Sequence, residues 1–203
     1  DKPNYQTGKK VTYLDEIIFW IVPEVTTRLA GLISGEYDII TMISDTEFER
    51  LKKTPGVEPI KKGPAFNFYL MFNHKKSPTS NINIRKAIQA AINADEIMAS
   101  AIPNPNFRVT DPSLYPPESA YYNFSKGELY NQNDPEKAKE YLKKAGYNNE
   151  RITFQAISTN AFMTRIGVAL VGQLKKAGMN AELLSYERQT WSQKRRDGNA
   201  LMM

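Results

Sequence analysis

The 203-residue sequence has no cysteine and a single histidine, His74. The lack of thiols excludes disulfides and thiolate metal sites, and one imidazole cannot build the common zinc centres. An all-carboxylate site stays open, but no calcium-loop spacing is present. There is no G-x-G-x-x-G, no P-loop and no G-x-S-x-G elbow, so neither a phosphate cradle nor a serine-hydrolase nucleophile is visible. No apolar run approaches the roughly 18 residues that span a bilayer. The opening "DKPNYQTGKK" carries no signal-peptide core, so an exported protein would have lost its signal before this point.

What is present describes a folded chain: 41% apolar and 24% charged residues, with no low-complexity segment. The net charge of +5 raises nucleic acid or an anionic membrane surface as partners. The lysines, however, come as separated pairs, such as Lys52-Lys53, Lys75-Lys76, Lys143-Lys144 and Lys175-Lys176. Several end predicted helices, where cations complement the macrodipole, and a solvated surface accounts for them.

Along the chain, "EIIFWIV" (16–22) reads as a buried strand stopped by Pro23. A helix follows with Leu29, Leu32 and Ile33 on one face and Gly35 at its end. "YDIIT" (37–41) is a second strand, and Asp45 is an N-cap candidate for a helix carrying Phe48 and Leu51. "VEPIKK" is a weak edge strand because Pro59 cannot donate to a ladder. "FNFYLMFN" (66–73) is the strongest strand pattern. Strand, helix, strand, helix, strand is an α/β pattern with connections long enough for parallel crossovers.

After the turn "HKKSPTSN", one helix running to about Ser100 places Ile84, Ala87, Ile88, Ala91 and Ile92 on a stripe, with Asn81 or Asn83 as its cap. Residues 102–133 contain five prolines and several tyrosines, and should be ordered and packed against the body. "DPEKAKEYLKKAGY" is a helix with cap Asp134, Pro135 at its first position and Gly146 at its end. "ITFQAIST" is a strand, "AFMTRIGVALVGQLKKAGM" a helix with Phe162, Ile166, Ala169, Leu170 and Leu174 inward, and "NAELLSY" a strand. "ERQTWSQKRRDGN" is a last amphipathic helix, and "ALMM" reads as the first half of a further strand.

Catalytic constellations are weak. His74 is flanked by Lys75 and Lys76, whose charge opposes the imidazolium a general base must become. The carboxylate pairs Asp15-Glu16, Asp45/Glu47 and Asp95-Glu96 sit at element ends, where capping explains them. Arg85 reads equally as a surface residue or as one half of a structural ion pair. The residues alone describe an α/β binding or structural module.

Four segments in order resemble the extracellular solute-binding proteins of peptide, dipeptide and oligopeptide ABC importers, family 5. They are "YLDEIIFWIVPEVTTRLAGLISGEYDII", "FNHKKSPTSNINIRKAIQAAINADEIM", "NDPEKAKEYLKKAGY" and "LVGQLKKAGMNAELLSYERQTWSQKRRDGN". The resemblance runs from Val11 to Asn199. It implies a periplasmic-binding-protein-like α/β fold of type II, in the peptide-binding cluster. It also implies that this is a piece of a longer receptor: residues 1–65 form part of the first lobe (β-α-β-α-β), and 66–203 part of a second α/β lobe that stops before its ligand-contacting strand. A periplasmic or extracellular lipoprotein is implied, monomeric and without enzymatic activity or cofactor. Its partners would be a peptide or other small solute and a membrane permease, with no nucleic acid. By analogy, Thr41, Met42 and Ile43 at the end of the second strand, and Ala65, Phe66 and Asn67 on the crossing strand, face the ligand cleft; Met42, Ile43 and Phe66 read equally as core.

Overall fold

The computed structural model describes residues 13–61, 67–115, 117, 119–123 and 127–197, with the backbone of 201–202. The chain divides into two compact units, Asp1–Pro59 and Ile60–Met203.

The first unit holds two helices. Helix α1 (Val25–Ser34) begins at Glu24, which makes no side-chain cap. Arg28 reaches back instead, donating to the carbonyls of Val22 and Pro23 at 2.7 and 2.8 Å. Gly35 closes α1 with φ 79°, a left-handed conformation that suits a residue without Cβ. Helix α2 (Asp45–Leu51) is capped by Ser44, whose hydroxyl accepts from the Glu47 N–H at 3.1 Å. Asp45, the expected cap, is instead the first helical residue, where its charge complements the dipole. Leu29, Phe48 and Leu51 are the buried apolar side chains of this unit.

The three strands expected here do not form: the described residues of the first unit carry no ladder. Residues 16–22 have strand composition, but a strand exists only through a partner that takes up its N–H and C=O groups. The apolar side chains are correspondingly open to solvent, Phe19 at 87% and Trp20 at 71%.

The second unit contains the larger core. Residues 67–73 form no ladder beyond a lone bridge at Met71. Their two-residue alternation is nevertheless kept: Phe68, Leu70 and Phe72 pack against the core, while Tyr69 and Met71 are exposed. Helix α3 (Ile82–Ala91) is capped by Asn81, which accepts from the Asn83 N–H at 2.9 Å. Its stripe of Ile84, Ala87, Ile88 and Ala91 is buried, joined by Ala90. The helix does not run on to Ser100. It stops at Ile92 and restarts as α4 (Ala94–Ala101), capped by Asn93.

Helix α5 (Pro135–Ala145) has its expected cap, Asp134 accepting from Lys137 N–H at 2.9 Å, and its expected end at Gly146, φ 66°. It packs on α3. Strand β1 (Ile152–Ile157), helix α6 (Ala161–Lys176) and strand β2 (Ala181–Tyr186) form a parallel crossover unit. Ile152 pairs with Ala181 and Ile157 with Tyr186. Helix α7 (Arg188–Arg196) then leads to β3 (Leu201–Met202), which pairs parallel to β1 on its other side, giving the order β2-β1-β3. In α6 the buried set is Met163, Ile166, Gly167, Leu170 and Leu174; Phe162, expected inward, is 38% exposed on the first turn.

Candidate functional site

Thr41, Met42 and Ile43 occupy the connection from α1 to α2, immediately before Ser44. Thr41 and Met42 are exposed and Ile43 is half-buried, so the core reading of Met42 is excluded within this unit. Met42 also has φ 60°. A left-handed conformation at a residue with a Cβ costs on the order of 1 kcal/mol, and such strain concentrates at functional sites. Ala65 and Phe66 lie outside the described residues. Asn67 belongs to the second unit, where its amide N–H donates to the Leu114 carbonyl at 2.8 Å.

That bond fastens the long segment after α4, which further contacts tie to the same unit. Lys61 donates to the Asn106 carbonyl and stands over the Phe107 ring at 5.3 Å. Asp95 accepts from the hydroxyl of Thr110 and, at 2.7 Å, from the Asn131 amide. Asp111 accepts from the Tyr122 hydroxyl at 2.9 Å, and this bond raises the Tyr122 pKa, with burial adding to it. The segment 102–133 was expected to be ordered and packed against the body, and these bonds tie its described residues to the second unit, but two of its tyrosines, Tyr115 and Tyr121, do not turn inward. They instead form a tilted pair, centroids 5.5 Å apart, exposed to solvent.

His74 sits exposed in the turn before α3. Among the described residues Arg85 has no ion-pair partner: its guanidinium donates to the Thr79 and Ser80 carbonyls at 2.6 and 3.0 Å, holding that turn against α3. Among the described residues no group of three or more His, Asp or Glu could hold a metal ion, and no helix is long and apolar enough to cross a membrane.

One location was not read from the sequence. In open α/β sheets, ligands bind outside the carboxyl ends of the strands, where the strand order reverses. The order β2-β1-β3 places that point at the end of β1. Ser158, Thr159 and Asn160 follow β1 there. Ser158 N–H donates to the Tyr186 carbonyl at 2.9 Å and its hydroxyl to Glu187 at 3.2 Å, while Asn160 caps α6 through Met163 N–H. The sequence signal was a Ser-Thr-Asn run between strand and helix, which has meaning only once the strand order is known.

The family model for bacterial extracellular solute-binding proteins, family 5 (middle part), matches residues 1–203. The chain belongs to this family. Among its relatives, the heme-binding protein A of Haemophilus influenzae is 28% identical over 201 residues, covering 96% of this chain and 36% of its own length. The dipeptide-binding protein of Escherichia coli is 26% identical over 191 residues, covering 91% of this chain and 35% of its own. Among solved structures, the periplasmic binding protein DppA from Helicobacter pylori, in complex with the peptide STSA, superposes with a TM-score of 0.75 at 28% identity over 89% of this chain and 35% of that one. The substrate-binding protein CtaP of Listeria monocytogenes superposes with a TM-score of 0.76 at 21% identity, over 85% of this chain and 35% of that one, a likeness of fold. The chain therefore spans little more than a third of the length of each of these four proteins, and its fold is that of part of a type II peptide-binding receptor.

Proposed function

We propose that this chain is part of the substrate-binding component of an ABC importer that captures a di- or oligopeptide between two lobes and delivers it to a membrane permease. The observation that carries this reading is the family match along the whole of residues 1–203. The dipeptide-binding relative and the peptide-bound neighbour favour a peptide as the solute. Residues 1–65 contribute to one lobe and 66–203 to the other, the lobes closing by hinge bending. Thr41, Met42, Ile43, Ala65, Phe66 and Asn67 are the residues proposed to contact the solute; within the second unit the carboxyl end of β1, with Ser158 and Thr159, is a further candidate. The receptor works as a monomeric periplasmic or extracellular lipoprotein, without catalysis.

A second reading keeps the receptor and changes the solute. The heme-binding relative at 28% identity and the Escherichia coli nickel-binding periplasmic protein at 25% favour it. Opines and oligosaccharides belong to the same alternative. A basic nucleic-acid module has only the net charge in its favour. Calorimetry of the full-length receptor against dipeptides, oligopeptides, haem, a nickel chelate and oligosaccharides separates these readings. Saturable heat with peptides is expected. Tight binding of haem, a chelate or a sugar with no heat from any peptide overturns the peptide assignment.

A further inference from the structure

Helix α7 is the most basic element of the second unit. Arg188, Lys194, Arg195 and Arg196 stand against two carboxylates, Glu187 and Asp197, at its ends. Both carboxylates are engaged elsewhere: Glu187 accepts from the Ser158 hydroxyl at 3.2 Å and Asp197 from the Gln193 amide at 2.9 Å. None of the four cations forms an ion pair among the described residues. Two lie over aromatic rings, Lys194 over Tyr186 at 4.9 Å and Arg195 over Trp191 at 5.7 Å. The other two, Arg188 and Arg196, line an open hollow with the side chains of Gln189, Thr190, Ser192 and Gln193, and Arg196 donates to the Gln193 side-chain carbonyl oxygen at 2.8 Å within it. They are eight positions apart in the helix, about 12 Å along the axis.

We infer that this face of α7 docks a carboxylate-rich segment of a partner protein, with Arg188 and Arg196 as its two anchors. Guanidinium forks at the ends of a row of amides and hydroxyls match carboxylates presented at intervals on an extended or helical segment. The composition of the face argues against a lipid surface. Membrane-surface helices combine cations with exposed bulky apolar residues, whereas the hollow is lined by polar side chains and the one large apolar residue of α7, Trp191, packs onto Ala156, Ile157 and Met163. The assignment does not depend on which solute the receptor carries.

The test measures binding of a synthetic oligo-glutamate peptide, and of phosphatidylglycerol-containing vesicles, to the full chain at low and high salt. Three proteins are compared: wild type, Arg188→Gln/Arg196→Gln, and Lys175→Gln/Lys176→Gln, which removes the same charge from the exposed end of α6. No residue of α7 is buried, so the arginine variant keeps the fold, as its far-ultraviolet spectrum should show. Peptide affinity should fall about tenfold in the arginine variant and less than about twofold in the lysine variant, and weaken with salt. Equal losses in both variants, no loss in either, or arginine-dependent binding of vesicles in place of the peptide overturns the assignment.

Discussion

The Gln173 side chain closes a two-way amide pair with the backbone of Asn93. Its oxygen accepts from the Asn93 N–H at 2.9 Å and its amide donates to the Asn93 carbonyl at 3.2 Å and to Glu96 at 3.1 Å. Asn93 is the point at which α3 ends and α4 begins, so Gln173 of α6 supplies the partners that a continuous helix would have provided internally. Replacing Gln173 by Leu leaves both backbone groups without these bonds. The expected loss is about 2 kcal/mol in chemical unfolding. Gln173→Glu keeps the acceptor, removes the donor and brings a charge toward Glu96, so it should destabilise as much. Retention of wild-type stability by either variant would show that the joint is held by packing alone.

In the first unit the ring of Tyr37 lies across Gly31, where an added Cβ would overlap its Cδ2 and Cε2 atoms. Tyr37 and Glu36 N–H groups also donate to the Gly31 carbonyl, at 3.1 and 2.8 Å. Gly31→Ala should therefore cost about 1–2 kcal/mol despite the better helix propensity of alanine. In a Tyr37→Ala background the overlap is gone, and the same substitution should become stabilising by up to about 1 kcal/mol. The reversal of sign in a double-mutant cycle is the measurement. Additive effects would remove the close approach as the reason for glycine here.

The helices of this chain were legible because their signals are local. Asp134, Pro135 and Gly146 bracket α5 within twelve residues of one another, and the Ile84–Ala87–Ile88 stripe lies on one face at helical spacing. The strands of the first unit were not legible as absent, since residues 16–22 have the right composition and only a distant partner decides whether they pair. The α3–α4 break was missed for a similar reason. Asn93 followed by Asp95 and Glu96 is a helix-start signal, but Gln173, eighty residues away, is what accommodates it. The family resemblance supplied Thr41, Met42 and Ile43 as candidate site residues, while Ser158 and Thr159 became candidates only through the strand order.

Tyr130 and Tyr147, the two raised tyrosines that burial shields most, should make stability fall in alkali. Burial raises the Tyr130 pKa, the charge of Asp95 adds to it, and a hydrogen bond with the Asp111 backbone opposes the shift. Burial likewise raises that of Tyr147, which takes an N–H from Asn180 and donates to the Glu150 carbonyl at 2.7 Å. A folded pKa above the unfolded value near 10 means that the native state holds its proton longer. The associated stability is complete below about pH 10 and is lost as pH rises toward the folded values. The thermal midpoint should fall over that interval, and less steeply in Tyr130→Phe and Tyr147→Phe. An unchanged slope in both variants would exclude these groups as its source.

Met42 separates backbone need from ligand contact. Its φ of 60° is one that glycine adopts freely and a β-branched residue resists. On backbone grounds alone, Met42→Gly should leave stability within about 1 kcal/mol of wild type, and Met42→Val should lose about 1–2 kcal/mol. If the exposed thioether lines the solute cleft, the glycine variant of the full-length receptor should in addition bind solute about tenfold more weakly, since one well-buried side chain contact is worth on that order. Unfolding and solute calorimetry on the same variants separate the two roles. A glycine variant with full affinity would leave the left-handed turn as a device for starting α2 at Ser44 and would remove Met42 from the cleft.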